Sequence, residues 1–320
     1  MFGQIIGTGM YRPEYSLSNE DLSKRVDTSD EWIRERTGIE RRYIIENDTT
    51  VSMAVKAAKE AIKNAEIEPE SIDMILFSTF SSNVILPSAA CEVQKEIGAS
   101  HAVCFDLNAA CSGFVFAYNT AQVYIASGLC KQVLVIGAES LSNLLDWSDR
   151  GTCILFGDGA GAVVLSQTKE AKFQTVMHSN GKKGGALTCE SRHQKGWEEE
   201  GMREKAFLRM DGKEVFQFAI KEVPRAIEAL LEKENLKKED IDYFILHQAN
   251  KRIIESVAKR LSIASEKFPM NLMEYGNTSS ASIPILMHEM NEKGSLKKGQ
   301  NIIMAGFGAG LSWGATYLVW

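Results

Sequence analysis

No stretch of about 18 consecutive apolar residues occurs in the 320-residue chain, so it holds no candidate membrane-spanning helix. Residues 1–11 lack a basic segment followed by a sustained apolar one, and no signal peptide is expected. Positive charge is not in excess. Lys and Arg total 36 against 42 Asp and Glu, a net charge of −6, which gives the whole-molecule field no footing for nucleic acid. The six cysteines (Cys91, Cys104, Cys111, Cys130, Cys153 and Cys189) have no regular spacing, which excludes both a disulfide framework and a zinc site of familiar form. Reduced thiols in a cytoplasmic protein are expected, with no metal. What is present is ordinary for a soluble globular chain: 44% hydrophobic and 24% charged residues. The length allows about two units of roughly 100–200 residues.

One cysteine stands apart. Cys111 sits where an apolar strand should turn into a helix, in Val103-Cys104-Phe105-Asp106-Leu107-Asn108-Ala109-Ala110-Cys111-Ser112-Gly113-Phe114. A thiol at a helix N-terminus faces free N–H groups and the positive end of the macrodipole, so a lowered pKa is expected. The small neighbours Ala109, Ala110, Ser112 and Gly113 leave room for another molecule to approach the sulfur. The bland alternative is an inert, buried small hydrophobe.

The chain reads as a duplication. Residues 53–64 form an amphipathic helical pattern, followed by a turn at Pro69 and the apolar strand 72–78. Residues 219–232 repeat the helix and 241–247 the strand, with 169 residues between Asp73 and Asp242. Downstream, the strand 104–108 and its helix correspond to 268–272 and a helix over about 279–292. Gly128 then leads to the strand 132–137 and Gly294 to 301–306, an offset of 166. Adding 166 to Cys111 gives Asn277. Strands such as 133–136 and 302–305 are apolar at consecutive positions, as expected when helices cover both sheet faces. The halves are expected at 1–170 and 171–320, each a mixed sheet with helices on and between.

Equivalent loops of a duplicated fold can converge on one site. Cys111 opens the helix of the first copy, Asn277 lies in Tyr275-Gly276-Asn277-Thr278-Ser279-Ser280, and His247 ends a strand in Leu246-His247-Gln248-Ala249-Asn250. Singly these read as a turn pair or a structural histidine. Together they are a chemically coherent set: a thiolate can take an acyl group from a thioester, and His and Asn can both donate hydrogen bonds to an enolate oxygen. The remaining histidines (His101, His178, His193, His288) have no comparable context.

These residues resemble β-ketoacyl-acyl carrier protein synthase III, a family of thiolase-like condensing enzymes. The resemblance spans nearly the whole chain. It is carried by Asp27-Thr28-Ser29-Asp30-Glu31-Trp32-Ile33, Arg36-Thr37-Gly38-Ile39, Ala109 to Phe114, Arg150-Gly151-Thr152 and Phe156-Gly157-Asp158-Gly159-Ala160. His247 to Asn250, Gly276 to Ser279 and Phe307-Gly308-Ala309 complete it. The family implies an α/β fold, a five-layered αβαβα sandwich of two duplicated halves, paired as a homodimer. It implies acylation of Cys111 by acyl-CoA, then decarboxylative condensation with malonyl-acyl carrier protein, initiating fatty acid biosynthesis without a cofactor. His247 and Asn277 would hold the thioenolate, and the Phe307, Gly308 and Ala309 loop the oxyanion.

The same resemblance places Trp32 and Arg150 on either side of the CoA adenine, Arg36 and Arg252 on its phosphates, and Thr28, Gly212, Phe216 and Asn250 along the pantetheine tunnel. Leu86, Leu141, Phe156 and Leu208 would form the acyl pocket. Leu86 replaces a phenylalanine of acetyl-preferring relatives, which implies room for longer or branched primers. Acyl carrier protein is acidic, and Lys251, Arg252, Lys259 and Arg260 would dock it, while Gln217 stands where some relatives carry a lysine. A solvated helix face is the other explanation of that basic run. A degradative thiolase would need a second cysteine near the C-terminus, and none follows Cys189. A condensing enzyme of polyketide metabolism and a non-catalytic acyl-binding homologue remain as alternatives.

Overall fold

The computed structural model describes residues 1–190 and 207–320, so His193 lies outside the described residues. The first half runs β1 (Phe2–Tyr11), β2 (Ser16–Ser18), α1 (Asn19–Ser23), α2 (Asp30–Thr37), β3 (Arg41–Tyr43), α3 (Thr50–Asn64) and β4 (Met74–Ser78). It continues through α4 (Ala89–Ile97), β5 (Val103–Leu107), α5 (Gly113–Ala126), β6 (Gln132–Glu139) and β7 (Gly159–Thr168). The second half comprises β8 (Phe173–Ser179), β9 (Leu187–Thr188), β10 (Arg209–Met210), α6 (Gly212–Glu234), β11 (Tyr243–Leu246) and α7 (Lys251–Leu261). It ends with α8 (Leu272–Tyr275), α9 (Ser282–Glu292), β12 (Asn301–Gly308) and β13 (Ser312–Val319).

Two mixed sheets result. One has five strands in the order β1-β7-β6-β4-β5, the other four in the order β11-β12-β13-β8. The equivalent pairs β4 with β6 and β11 with β12 are parallel, and the pairings through β7 or β13 are antiparallel. Helices α5 and α9 touch both sheets and form the middle layer, while α3 with α4 and α6 with α7 cover the outer faces. This is the expected αβαβα sandwich.

The apolar strand runs follow from that layering. Along β6, Val133 and Val135 face the middle helices and pack with Phe114, Tyr118 and Met287, whereas Leu134 and Ile136 face the outer layer with Ala57 and Val93. Both faces are dry, so no alternation of polar residues is possible. Burying each such side chain contributes about 1.5–3 kcal/mol.

The strand expected at 268–272 does not form. Phe268 instead stacks on Phe244 of β11 with ring centroids 5.0 Å apart. Pro269 supplies no N–H for a ladder. The Gln248 side chain takes over that role, accepting from the Asn271 N–H at 3.1 Å. The second sheet therefore lacks a counterpart of β5 among the described residues. No described helix is long and apolar enough to cross a membrane.

Candidate active site

Cys111 lies in a 3-10 turn, Ala110–Ser112, that feeds directly into α5. The turn opens with Ala110 at φ +47°, and the Asn108 carboxamide oxygen accepts from the Ala110 N–H at 3.1 Å. The helix end expected beside the thiol is present, but the lowered pKa is not. Burial pushes the Cys111 thiol up to about 12, with the Glu139 charge adding to it, although the Ser279 side chain and Cys111's own N–H oppose the rise. At rest the sulfur therefore carries its proton.

His247 follows β11 and is 1% exposed. Burial lowers it to about 3, so the ring is neutral. Its tautomer is set from α9. The Ser282 hydroxyl oxygen accepts the Gln248 N–H at 3.3 Å and lies 2.7 Å from His247 Nδ1, to which it can give its own hydrogen. Nδ1 is then the acceptor and Nε2 carries the proton. Asn277 is anchored through its backbone, donating to Leu155 O at 2.8 Å and accepting from the Gly157 N–H at 3.1 Å. Its Oδ1 accepts from the Ser279 N–H at 2.9 Å, which leaves the amide NH₂ as the outward donor.

The structure corrects one equivalence. Asn277 is the duplicate of Asn108, not of Cys111. Each asparagine accepts from the N–H two residues on, each turn has a positive-φ residue there (Ala110, Ser279 at φ +52°), and each leads into a middle-layer helix. The offset is 169 throughout, as for Asp73 and Asp242, so Cys111 pairs with Ser280. The misleading glycine landmark lies after α9, whose 11 residues are three fewer than the 14 of α5. The longer connection into β12 restores the register.

Cys111, His247, Asn277, Phe307 and Gly308 line one cavity of about 470 Å³. Trp32, Arg36, Gly212, Phe216, Asn250 and Arg252 line the same cavity. Asn250 caps α7, accepting from the Arg252 N–H at 2.8 Å, and its amide holds Arg36 O at 3.1 Å, which fixes α7 against α2 at the mouth. Arg150 stands over the Trp32 ring at 5.1 Å from the centroid, tied to Asp27 O at 2.7 Å, rather than on the cavity wall. Trp32 is half-buried, packed against the core while also lining the cavity. Thr28 also lies off the wall, its hydroxyl buried without a partner among the described residues.

A second cavity of about 1040 Å³ opens on the other side of Cys111, lined by Phe80, Ser81, Ser140, Phe156, Leu208 and Ala309 among others. Two residues expected in the acyl pocket do not line either cavity of the single chain. Leu86 is 86% exposed and lines neither cavity, because its loop projects outward. Leu141 is fully buried behind the wall, against Leu145, Phe156, Leu187 and Leu208. On α7, Ile253, Ile254, Val257, Ala258 and Leu261 are buried, while Lys251, Arg252, Lys259 and Arg260 are all exposed. Gln217 lies in a surface groove with Lys183, Lys213 and Lys221.

Comparison with known proteins decides the family. Residues 105–181 match the model for 3-oxoacyl-[acyl-carrier-protein] synthase III, and residues 231–320 match that for its C-terminal part. Beta-ketoacyl-[acyl-carrier-protein] synthase III of Clostridium acetobutylicum is 49% identical, over 99% of this chain and 98% of that protein. The chain belongs to the β-ketoacyl-acyl carrier protein synthase III family. A crystal structure of the Aquifex aeolicus 3-oxoacyl-[acyl-carrier-protein] synthase III superimposes with a TM-score of 0.94 at 43% identity, covering 99% of this chain and all of that one. The priming β-ketosynthase of the R1128 polyketide pathway does so with a TM-score of 0.92 at 36% identity, over 99% and 96% of the two chains.

Within this synthase III framework, three residues around the site escaped the sequence reading. Ser282 sits against His247 Nδ1, Ser279 places a buried hydroxyl beside Cys111, and Glu139 is a fully buried carboxyl. The signals were present: a serine-rich run, 278–282, and a lone acid closing the otherwise apolar strand 133–139.

Proposed function

We propose that this chain condenses an acyl-CoA primer with malonyl-acyl carrier protein, giving 3-oxoacyl-acyl carrier protein, CoA and CO₂, and so initiates fatty acid biosynthesis. One observation carries the reading: Cys111, His247 and Asn277, from three separate loops, line a single cavity with Trp32, Arg36 and Arg252 at its mouth. The Cys111 sulfur attacks the primer's thioester carbonyl, the carbon–CoA bond breaks, and the thiol proton leaves on the CoA sulfur. The malonyl thioester then loses CO₂. The resulting thioenolate oxygen takes hydrogen bonds from His247 Nε2–H and the Asn277 amide, both neutral donors. Its carbanion attacks the acyl-Cys111 carbonyl, forming the carbon–carbon bond and freeing the sulfur, which regains a proton. The Cys111 N–H and the backbone of Phe307, Gly308 and Ala309 hold the tetrahedral oxyanion. This chemistry asks for no metal or redox group.

The CoA nucleotide would lie across Trp32 and Arg150 with its phosphates on Arg36 and Arg252, since arginine forks suit phosphate and stack on rings. Gly212, Phe216 and Asn250, which line the cavity, would follow the pantetheine arm. The acidic carrier would dock on the exposed Lys251, Arg252, Lys259 and Arg260. We also place the chain in a homodimer: β5 is an edge strand with Val103 exposed on it, and Ile85 and Leu86 are exposed in the loop before α4. A partner's loop would then finish the acyl cavity that Leu86 of the same chain leaves open.

Two outcomes test these assignments. Incubation with malonyl-acyl carrier protein and acetyl-, isobutyryl- or hexanoyl-CoA should yield all three 3-oxoacyl carriers by mass spectrometry, because the cavity is large and each extra methylene shifts discrimination by only about 1–3 kcal/mol. Absence of any product would overturn the function, and product from acetyl-CoA alone would overturn the broad primer range. Separately, a Cβ built on Gly308 lies 2.7 Å from the Cys111 backbone nitrogen, so any side chain there must displace the reactive turn. Gly308→Ala should retain its circular dichroism spectrum yet lose condensation by about 10²–10³-fold, the usual cost of an oxyanion donor. An unimpaired variant would remove this loop from the mechanism. A condensing role in polyketide priming would use the same residues and differ in the carrier it accepts.

A further inference from the structure

The duplication gives the reactive turn a twin. At the constant offset of 169, Asn108, Ala110, Cys111 and Gly113 answer to Asn277, Ser279, Ser280 and Ser282. On the strands beside them, His247 answers to Ser78 and Gly308 to Glu139. The two sites diverge at that last position. Gly308 has no side chain and the Cys111 backbone packs directly against it, whereas Glu139 carries a side chain that reaches Ser280.

Glu139 is fully buried and its carboxyl is completely engaged. One oxygen meets Ser280 Oγ at 3.0 Å. The other accepts from the Phe80 N–H at 3.3 Å, the Ser81 N–H at 3.2 Å, the Thr79 hydroxyl at 3.1 Å and the Ser81 hydroxyl. Ser280 Oγ also reaches Ser78 O at 3.1 Å. The carboxyl thus joins two loops that border the site. Phe80 and Ser81 line the larger cavity, and Ser280 sits next to Ser279, whose N–H holds the Asn277 amide.

We propose that Glu139 is a positioning residue for the condensation step, tying the Ser280 turn, and through Ser279 the Asn277 amide, to the cavity loop 79–81. The inference rests on the condensing function and assigns a role inside the same site. Burial also raises the carboxyl to about 7, so both protonation states are accessible near neutral pH, and the neutral one donates to Ser280 Oγ while Ser280 donates to Ser78 O. Glutamine reproduces that pattern, with its NH₂ toward Ser280 and its oxygen toward the loop. Alanine cuts the tie between the Ser280 turn and loop 79–81, leaving Ser280 Oγ with only Ser78 O, the Ser81 N–H with only the Thr79 hydroxyl, and the buried Phe80 N–H without its carboxyl acceptor.

The test separates the half-reactions. Acylation of Cys111 by acetyl-CoA is followed by intact-protein mass spectrometry, and decarboxylation of malonyl-acyl carrier protein by CO₂ release. Glu139→Ala should acylate within about 10-fold of wild type yet decarboxylate about 10²-fold more slowly, because misplacing a hydrogen-bond donor by an ångström is enough for that loss. Glu139→Gln should stay within a few-fold of wild type in both. Equal loss in the two half-reactions for Glu139→Ala, undiminished decarboxylation, or a Gln variant as impaired as Ala would each overturn the positioning role. A wild-type protein that neither acylates nor decarboxylates would instead overturn the condensing function itself.

Discussion

Cys111→Ala protein mixed with acetyl-CoA should show no acyl adduct by intact mass, and its condensation rate should fall at least about 10⁴-fold, the scale of removing an enzymic nucleophile. The effect should be chemical rather than structural. The substitution removes one buried sulfur from a turn whose hydrogen bonds are backbone and Asn108 contacts, so unfolding should shift little. Malonyl-carrier decarboxylation should persist in this variant, because the donors assigned to it, His247 and Asn277, are untouched. Among the other described cysteines, Cys189 also borders the larger cavity and supplies the control. Cys189→Ala should acylate like wild type, and an adduct that survives in Cys111→Ala would move the nucleophile elsewhere.

The protonated state of Cys111 refines how that nucleophile works. A helix N-terminus lowers a thiol by a fraction of what full burial raises it, since the macrodipole acts through partial charges and desolvation acts on the whole charge. The buried site therefore stores a neutral thiol beside a neutral imidazole. Charge appears on sulfur only as the primer's carbonyl accepts it, where the Cys111 N–H and the Gly308 backbone lie closest. Gly308 lets the Cys111 turn pack directly against β12, since a Cβ there would lie 2.7 Å from the Cys111 nitrogen, and its duplicate Glu139 instead carries a side chain that reaches Ser280.

Much of this was legible in the sequence, for identifiable reasons. The paired β/α pattern shows because strands with two dry faces must be apolar at consecutive positions, as Val133 to Ile136 and Ile302 to Ala305 are. Cys111, His247 and Asn277 were each visible as chemistry-bearing residues at element ends. Their register was not. Helix lengths differ between the copies, and periodicity alone does not report a three-residue deletion inside an amphipathic pattern. The strand expected at 268–272 failed because a side chain, Gln248, satisfies the Asn271 N–H that a ladder would otherwise have taken. Leu141 was misplaced for a related reason: which way its side chain points depends on tertiary contacts that no local pattern encodes.

His247→Ala should separate binding the primer from using it. The variant should acylate Cys111 at a rate close to wild type, because the neutral ring with its proton on Nε2 is a donor and not the base for the thiol. Decarboxylation of malonyl-acyl carrier protein should drop by about 10²–10³-fold, as for loss of one oxyanion donor, and condensation with it. Acylation lost in parallel with decarboxylation would show instead that His247 takes the thiol proton. The same residue predicts a stability effect. His247 titrates at about 3 in the fold against the ordinary 6.5 of a solvated imidazole, so below pH 6.5 the unfolded chain binds the proton that the folded chain refuses. Its contribution is thus present above pH 6.5 and lost as pH falls toward 3, roughly 2 kcal/mol by pH 5. The melting temperature of wild type should fall between pH 7 and pH 5 by more than that of His247→Ala, and identical shifts in the two proteins would mean that the buried ring is not the group that resists protonation.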